Sequence, residues 1–144
     1  MRLCTAAERG SVMSKLEEIR EEFKKDRFAT DAVGIVIDCA EPGKAVCSLA
    51  LKPHHMNANN VPMGGAIFTL ADFTCAVAAN GYAEKMTVSQ NASITFLAPA
   101  RGERLIAEAS CLRSGRTTAL LTVDIRDELD TYVAHATVNA YVLG

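Results

Sequence analysis

Three patterns of apolar and polar positions follow one another along the chain, and each implies a different kind of element. Over residues 14–27, Leu16, Ile19 and Phe23 recur at spacings of three and four with charged residues between them, which predicts an amphipathic helix with one buried stripe. Ser14-Lys15-Leu16-Glu17 has the form of a capping box, in which the Ser and Glu side chains satisfy backbone donors that the first helical turn leaves free. Two short apolar runs follow, 33–39 and 44–51, with Glu41-Pro42-Gly43 between them; these residue types reverse the chain between strands. Residues 52–63, rich in Asn, read as a loop.

After Gly64-Gly65 the pattern changes. Residues 66–79 (AIFTLADFTCAVAA) are apolar on nearly every side and stop near Asn80-Gly81, which predicts a buried helix over 65–80. The period then drops to two. Runs 88–97, 104–113, 117–126 and 132–142 have strand length and are separated by turn residues at 99–102, 114–115 and 127–130. In the third run Ala119, Leu121, Val123 and Ile125 alternate with Thr118, Leu120, Thr122 and Asp124, so one face is buried and the other mostly polar. The order predicts a single α+β domain over 1–144, with a six-stranded, largely antiparallel sheet curled around the 65–80 helix and a further helix near the N-terminus.

Composition narrows the function classes. The formal net charge of −2, with Lys and Arg scattered, offers no electrostatic footprint for nucleic acid. The 66–79 stretch is too short to span a bilayer and carries Asp72. The first residues lack the apolar block of a secretory leader. Five cysteines, at 4, 39, 47, 75 and 111, show no metal-ligand spacing and read as buried, reduced thiols of a cytoplasmic protein. No metal or cofactor is expected.

Asp72 stands out against its helix. A carboxylate at the centre of a buried helix costs several kcal/mol unless it is partnered, so it is either a structural acceptor or a functional acid–base group. Gly64-Gly65 opens the same helix, where the first amides lack internal acceptors and the dipole favours negative charge. Such amides can stabilise an oxyanion; a tight turn explains the two glycines equally well. Eight residues, about 12 Å of helix, separate Gly64 from Asp72. If both act on one carbonyl, a second copy of the helix must supply one of them, which points to a symmetric homodimer.

His55-Met56-Asn57-Ala58-Asn59-Asn60-Val61-Pro62-Met63-Gly64-Gly65, followed by Phe68-Thr69-Leu70-Ala71-Asp72, resembles the hotdog-fold acyl-CoA thioesterases of the phenylacetate-pathway (PaaI-type) family. That family's signature runs approximately H-x-N-x-x-G-x-x-H-G-G and then L-A-D. The likeness extends over nearly the whole chain, including Ser89 to Pro99 as the strand after the central helix. It implies a hotdog fold and hydrolysis of an acyl-CoA, which is substrate and not cofactor. Asp72 would be the nucleophile or general base, and the Gly64 amide would polarise the thioester carbonyl across a dimer interface. Asn57 would position the carbonyl or a water. His55, Met63, Gly65 and Ser89 would border the substrate, and Arg113, Gly115 and Arg116 would meet coenzyme A. Arginines flanking a glycine turn suit phosphate; solvated turn charges are the competing reading. Homodimers pairing into homotetramers are implied as well.

Two positions depart from the signature. Asn60 replaces a Gly, and Asn tolerates left-handed backbone geometry. Met63 replaces the His before Gly-Gly, and its thioether neither donates a strong hydrogen bond nor carries a proton. Two other readings therefore stand beside the thioesterase: a non-catalytic acyl-CoA-binding hotdog protein, and a hotdog hydratase or dehydratase. Met56, Met63, Phe68 and Phe73 could line an acyl pocket or belong to the core. His135, in the last run, reads as structural.

Overall fold

The computed structural model describes residues 9–144, with side chains from Lys15 onward. Helix α1 (Arg9–Phe23) leads into strands β1 (Val36–Glu41) and β2 (Lys44–Ala50). Helix α2 (Gly64–Asn80) follows, then β3 (Thr87–Phe96), β4 (Arg104–Ser114), β5 (Thr118–Asp127) and β6 (Tyr132–Val142). The six strands form one sheet in the order β1-β2-β4-β5-β6-β3, with every pairing antiparallel.

The period-two runs explain how the sheet holds α2. Leu105, Ala107 and Ala109 of β4, Leu121, Val123 and Ile125 of β5, and Ala136 and Val138 of β6 are all almost fully buried. The many alanines on this inner face leave room for the larger Ile67, Leu70, Phe73 and Val77 of α2, which are also buried. Small residues on the sheet against large ones on the helix give close packing without strain. A sheet rolled around one central helix is the hotdog arrangement that the motif implies. Phe73, one candidate for a pocket wall, belongs to this core, where it meets Phe23 of α1 edge to face.

Several boundaries differ from expectation. The first helix ends at Phe23 instead of 27, because Lys24, Lys25, Asp26 and Arg27 offer no apolar position to continue the stripe. A single π-type turn, Phe28–Val33, follows and closes on Gly34 at φ +93°. That turn buries Ala29 and Val33, so β1 starts only at Val36. The expected face of α1 does point inward, with Ile19 buried and Leu16 and Phe23 packed against the core. Arg20 fixes this helix to β1 by donating from Nε and Nη2 to the Ile37 carbonyl at 3.0 and 2.8 Å. The Ser14 half of the expected capping box lies outside the described side chains.

The buried helix also differs in one respect. Gly65, Phe68, Thr69, Asp72, Ala76 and Ala79 are exposed or half-buried, and their spacing of three and four makes one continuous open stripe. The cysteines differ too. Cys47 and Cys75 are buried free thiols and Cys111 is a half-buried one, but Cys39, half-buried on the outermost strand, is disulfide-bonded. The cysteines therefore give no ground for a reducing compartment. No described helix is long and apolar enough to cross a membrane.

The turn after β5 is organised by the buried Asp127. Its Oδ2 accepts from the amides of Arg101 and Gly102, and its Oδ1 from those of Leu129 and Thr131. Burial opposes the charge, but the hydrogen bonds from Thr131, Arg101 and Gly102 outweigh it and hold the carboxyl far below the usual carboxylate range. A depressed folded pKa stabilises above the unfolded value of about 4 and loses that contribution as pH falls below it. Asp127→Ala is expected to lower unfolding free energy at neutral pH by about 2–4 kcal/mol. In urea titrations the gap between wild type and variant should narrow as pH is taken from about 5 downwards.

Candidate functional site

The loop between β2 and α2 is built around His55. This side chain is buried, its Nδ1 accepts from the Lys52 amide at 2.9 Å, and its Nε2 donates to the Val33 carbonyl at 2.7 Å. An acceptor at Nδ1 leaves the proton on Nε2, so the neutral ring has both nitrogens committed inside the chain. Through these two bonds the His55 side chain pins the loop. His54 is exposed and lies against the His55 ring, with centroids 4.1 Å apart.

Asn57 closes the rest of the loop. Its amide donates to Val61 O, and its Oδ1 accepts from the Asn59 and Val61 amides at 2.9 and 3.3 Å. Among the described residues its Nδ2 has no acceptor, so only that end of the side chain can meet a ligand. Asn60 sits at φ +56°, the left-handed geometry that the signature's glycine would otherwise supply. The chain returns through Met63, whose amide donates to His55 O at 2.8 Å.

Met63 is the N-cap residue of α2, and its side chain is exposed and makes no capping bond. The Ala66 and Ile67 amides donate to Met63 O. Those of Gly64 and Gly65 have no acceptor among the described residues, as expected of a first helical turn. A Cβ on Gly64 would lie 3.0 Å from the Phe96 ring of β3, so its lack of a side chain is used. A Cβ on Gly65 would meet nothing within 4 Å.

Asp72 lies two turns further along, on the open stripe and half-buried. This corrects the picture of a carboxylate enclosed by its helix: water and a ligand both reach it, so desolvation does not force a structural partner on it. Ser89 of β3 donates to Asp72 Oδ1 at 2.9 Å. Strand β3 is held beside α2 by Asn80, whose side chain takes the Thr87 amide at 2.7 Å and donates to Thr87 O at 2.9 Å. Between the two elements a cavity of about 230 Å³ opens directly behind the carboxylate.

Arg113 and Arg116 flank the β4–β5 turn, both exposed and without an ion pair among the described residues. Gly115 closes that turn by donating to Thr118 O at 2.8 Å, and a Cβ there would crowd the same oxygen at 3.2 Å. Asn57, Met63, Gly64 and Gly65 are thus gathered at one end of α2, and Asp72 and Ser89 in its middle. The arginines sit on a separate turn. Cys75, Ala76 and Ala79 also border the cavity and were missed as site residues. Their spacing of three, four and seven from Asp72 was the available signal.

A second polar cluster lies on the opposite face of the sheet. There His135 Nδ1 is 2.7 Å from Asp124 Oδ1, and Tyr132 donates to the same oxygen. Burial works against ionisation of Asp124, but hydrogen bonds from Tyr132 and His135 outweigh it and hold the carboxyl below its usual range. No three His, Cys, Asp or Glu side chains among the described residues are arranged to hold a metal ion.

Residues 59–134 match the family model of the thioesterase superfamily. The chain is 29% identical to a putative esterase of Archaeoglobus fulgidus over 139 residues, 96% of this chain and 88% of that one. It is 30% identical to human acyl-coenzyme A thioesterase 13 over 123 residues, 82% of this chain and 86% of that one. The solved structure of the Escherichia coli PaaI protein from the phenylacetic acid degradation operon superposes with a TM-score of 0.83. It is 24% identical and covers 92% of this chain and 96% of that one.

If His55 holds the loop, His55→Ala leaves the Lys52 amide and the Val33 carbonyl without partners. Stability in urea should fall by about 2–4 kcal/mol. Hydrogen exchange should accelerate most at the amides of residues 55–65, more than in the sheet.

Proposed function

The chain belongs to the thioesterase superfamily, and from that premise we propose that it hydrolyses acyl-CoA thioesters to a free acid and coenzyme A, with Asp72 as the acid–base or nucleophilic group. The observation that carries this reading is the Asp72 carboxylate itself. It is half-open, oriented through one oxygen by Ser89, and set at the mouth of an apolar cavity.

In the general-base route, Asp72 takes a proton from water, and the resulting hydroxide forms the bond to the thioester carbon. The C–S bond then breaks, and the departing thiolate takes the proton back from Asp72. In the nucleophilic route the carboxylate attacks the thioester carbon and the C–S bond breaks, giving a mixed anhydride and the coenzyme thiolate. Water then opens the anhydride to the free acid and restores Asp72, and the proton released goes to the thiolate. Either route places negative charge on the carbonyl oxygen. The uncapped Gly64 amide, at the positive end of the α2 dipole, is suited to receive it. The Asn57 Nδ2 hydrogens remain to hold the carbonyl or the water. Arg113 and Arg116, free of ion pairs among the described residues, suit the phosphates of coenzyme A.

One carbonyl cannot touch both Gly64 and Asp72 of the same helix, about 12 Å apart along its axis. The reading therefore pairs Gly64 of one protomer with Asp72 of the partner subunit. Two features support a second copy at this place. Strand β3 is a ten-residue edge with one side unpaired, and such an edge is a template for another strand. Met63, Phe68, Val88, Phe96 and Leu97 are exposed on and beside that edge, an apolar run that a monomer would leave in water.

Met63 favours a second reading, in which the protein binds an acyl-CoA without turning it over. Its exposed thioether sits at the helix N-cap without a capping bond, where the signature's His would offer a donor. A hydratase gains no such support. Such enzymes pair a His with a carboxylate; His55 is committed inside the chain, and His135 is bound to Asp124 on the far face of the sheet.

Thiol release from short, medium, long and aromatic acyl-CoAs is the decisive measurement. Asp72→Asn should lower kcat by about 10²–10⁴-fold, and Ser89→Ala by a smaller factor with little change in KM. Saturable binding of acyl-CoA with no thiol release from any member of the panel would establish the binding protein instead.

A further inference from the structure

We propose that the groove behind Asp72 takes the acyl chain, and that it is built for aliphatic chains of medium length. This rests on the acyl-CoA reading above and adds the substrate class. The groove consists of two chambers in sequence. The first, about 230 Å³, runs from Asp72 past Ala76, Val88, Leu121 and Val138. The second, about 210 Å³, is bordered by Tyr82, Cys111, Ser114 and Ala119. Ala79 and Thr87 border both, so the chambers adjoin at these two residues.

Register shows that this is one path. Along α2 the walls advance from Asp72 through Ala76 and Ala79 to Tyr82, just beyond the helix end. On the sheet, Leu121 pairs with Val138, and Ala119 pairs with Ala140. Leu121, Val138 and Ala140 border the first chamber and Ala119 the second, so the second pair straddles the junction and the step runs the same way. Every element thus carries the groove away from the carboxylate.

Its chemistry suits methylenes. Burial, with the Asp72 charge nearby, pushes the Cys75 thiol up to about 12, so that wall stays neutral. The Tyr82 hydroxyl donates to Ala40 O at 3.3 Å instead of facing the groove alone. Much of the lining is alanine, and Asp72 is the one charged side chain bordering it among the described residues. Its length can be compared with an extended chain. Seven residues of helix from Asp72 to Ala79 span about 10 Å. An extended chain advances roughly 1.2 Å per bond, since a residue of three bonds spans at most about 3.6 Å. The first chamber therefore accepts about eight carbons, and the path to Tyr82 about twelve.

The rival occupant is the pantetheine arm of the coenzyme, because Ser114 of the second chamber adjoins the arginine turn. Calorimetry with coenzyme A and its ethyl, butyl, hexyl, octyl and dodecyl thioethers separates the two. These ligands are not hydrolysed, so chain affinity is read independently of turnover. In wild type, affinity should rise about three- to four-fold per methylene and continue to rise beyond octyl. In Ala79→Phe, which plugs the junction, the gain from octyl to dodecyl should vanish while the steps up to hexyl persist. The milder Ala79→Val should show the same effect in part, and guards against a misfolded variant. Affinity that does not rise with chain length in wild type overturns the proposal. So does an Ala79→Phe loss that is equal for coenzyme A and every thioether, which assigns the groove to the coenzyme arm. A rise with chain length in a protein that releases no thiol from any acyl-CoA overturns the hydrolase and leaves the acyl groove standing.

Discussion

The packing of α2 into an alanine-rich sheet face governs this molecule. The helix brings Ile67, Leu70, Phe73 and Val77 to a surface on which β4 and β6 present mostly methyl groups, so the sheet can close around it without overfilling the centre. A single sheet cannot enclose a helix completely, however. The side of α2 next to β3 is left open, and everything chemically interesting lies along that seam. Asp72, Ser89, the groove and the uncapped first turn all follow from where the sheet stops.

That geometry also accounts for the polar groups. A carboxylate deep in the helix–sheet contact would need several hydrogen bonds, as Asp127 has in its turn. Asp72 instead has one described partner, Ser89, and is half-buried, where solvent can supply the rest. The contrast is one of surroundings. Asp127 is saturated by backbone amides and holds a turn, whereas Asp72 has a described partner on one oxygen only.

The loop before α2 shows the same division of labour among residues adjacent in the motif. His55 has both nitrogens bonded within the chain, Asn57 has its oxygen committed and its amide hydrogens available, and Gly64 and Gly65 have open amides. Some polar atoms of the motif are therefore bonded within the chain and others are left open, and its spacing alone does not say which. The apolar run at the β3 edge lies beside this loop. The first turn of α2, the Phe96 ring and the edge strand lie together, so a second copy docking there would cover the exposed side chains and complete the site at once.

Hydrophobic periodicity by itself determined the order of elements, most strand limits to within a residue or two, and the α+β class, because burial of one face is written directly in alternation. The His55 to Asp72 motif added the fold family and the acidic residue. What periodicity could not carry was any property set by neighbours distant in the chain. The open stripe on α2 is invisible in a run that is apolar all round, since it depends on which side the sheet leaves uncovered. The commitment of His55 depends on Val33, twenty-two residues away, and the Asp72 hydroxyl partner on a strand placed by Asn80. The groove exists only because β5, β6 and β3 bring alanines and Val88 to face Ala76 and Ala79. Local pattern encodes which face is buried; tertiary packing decides what each remaining polar atom and each gap is left to meet.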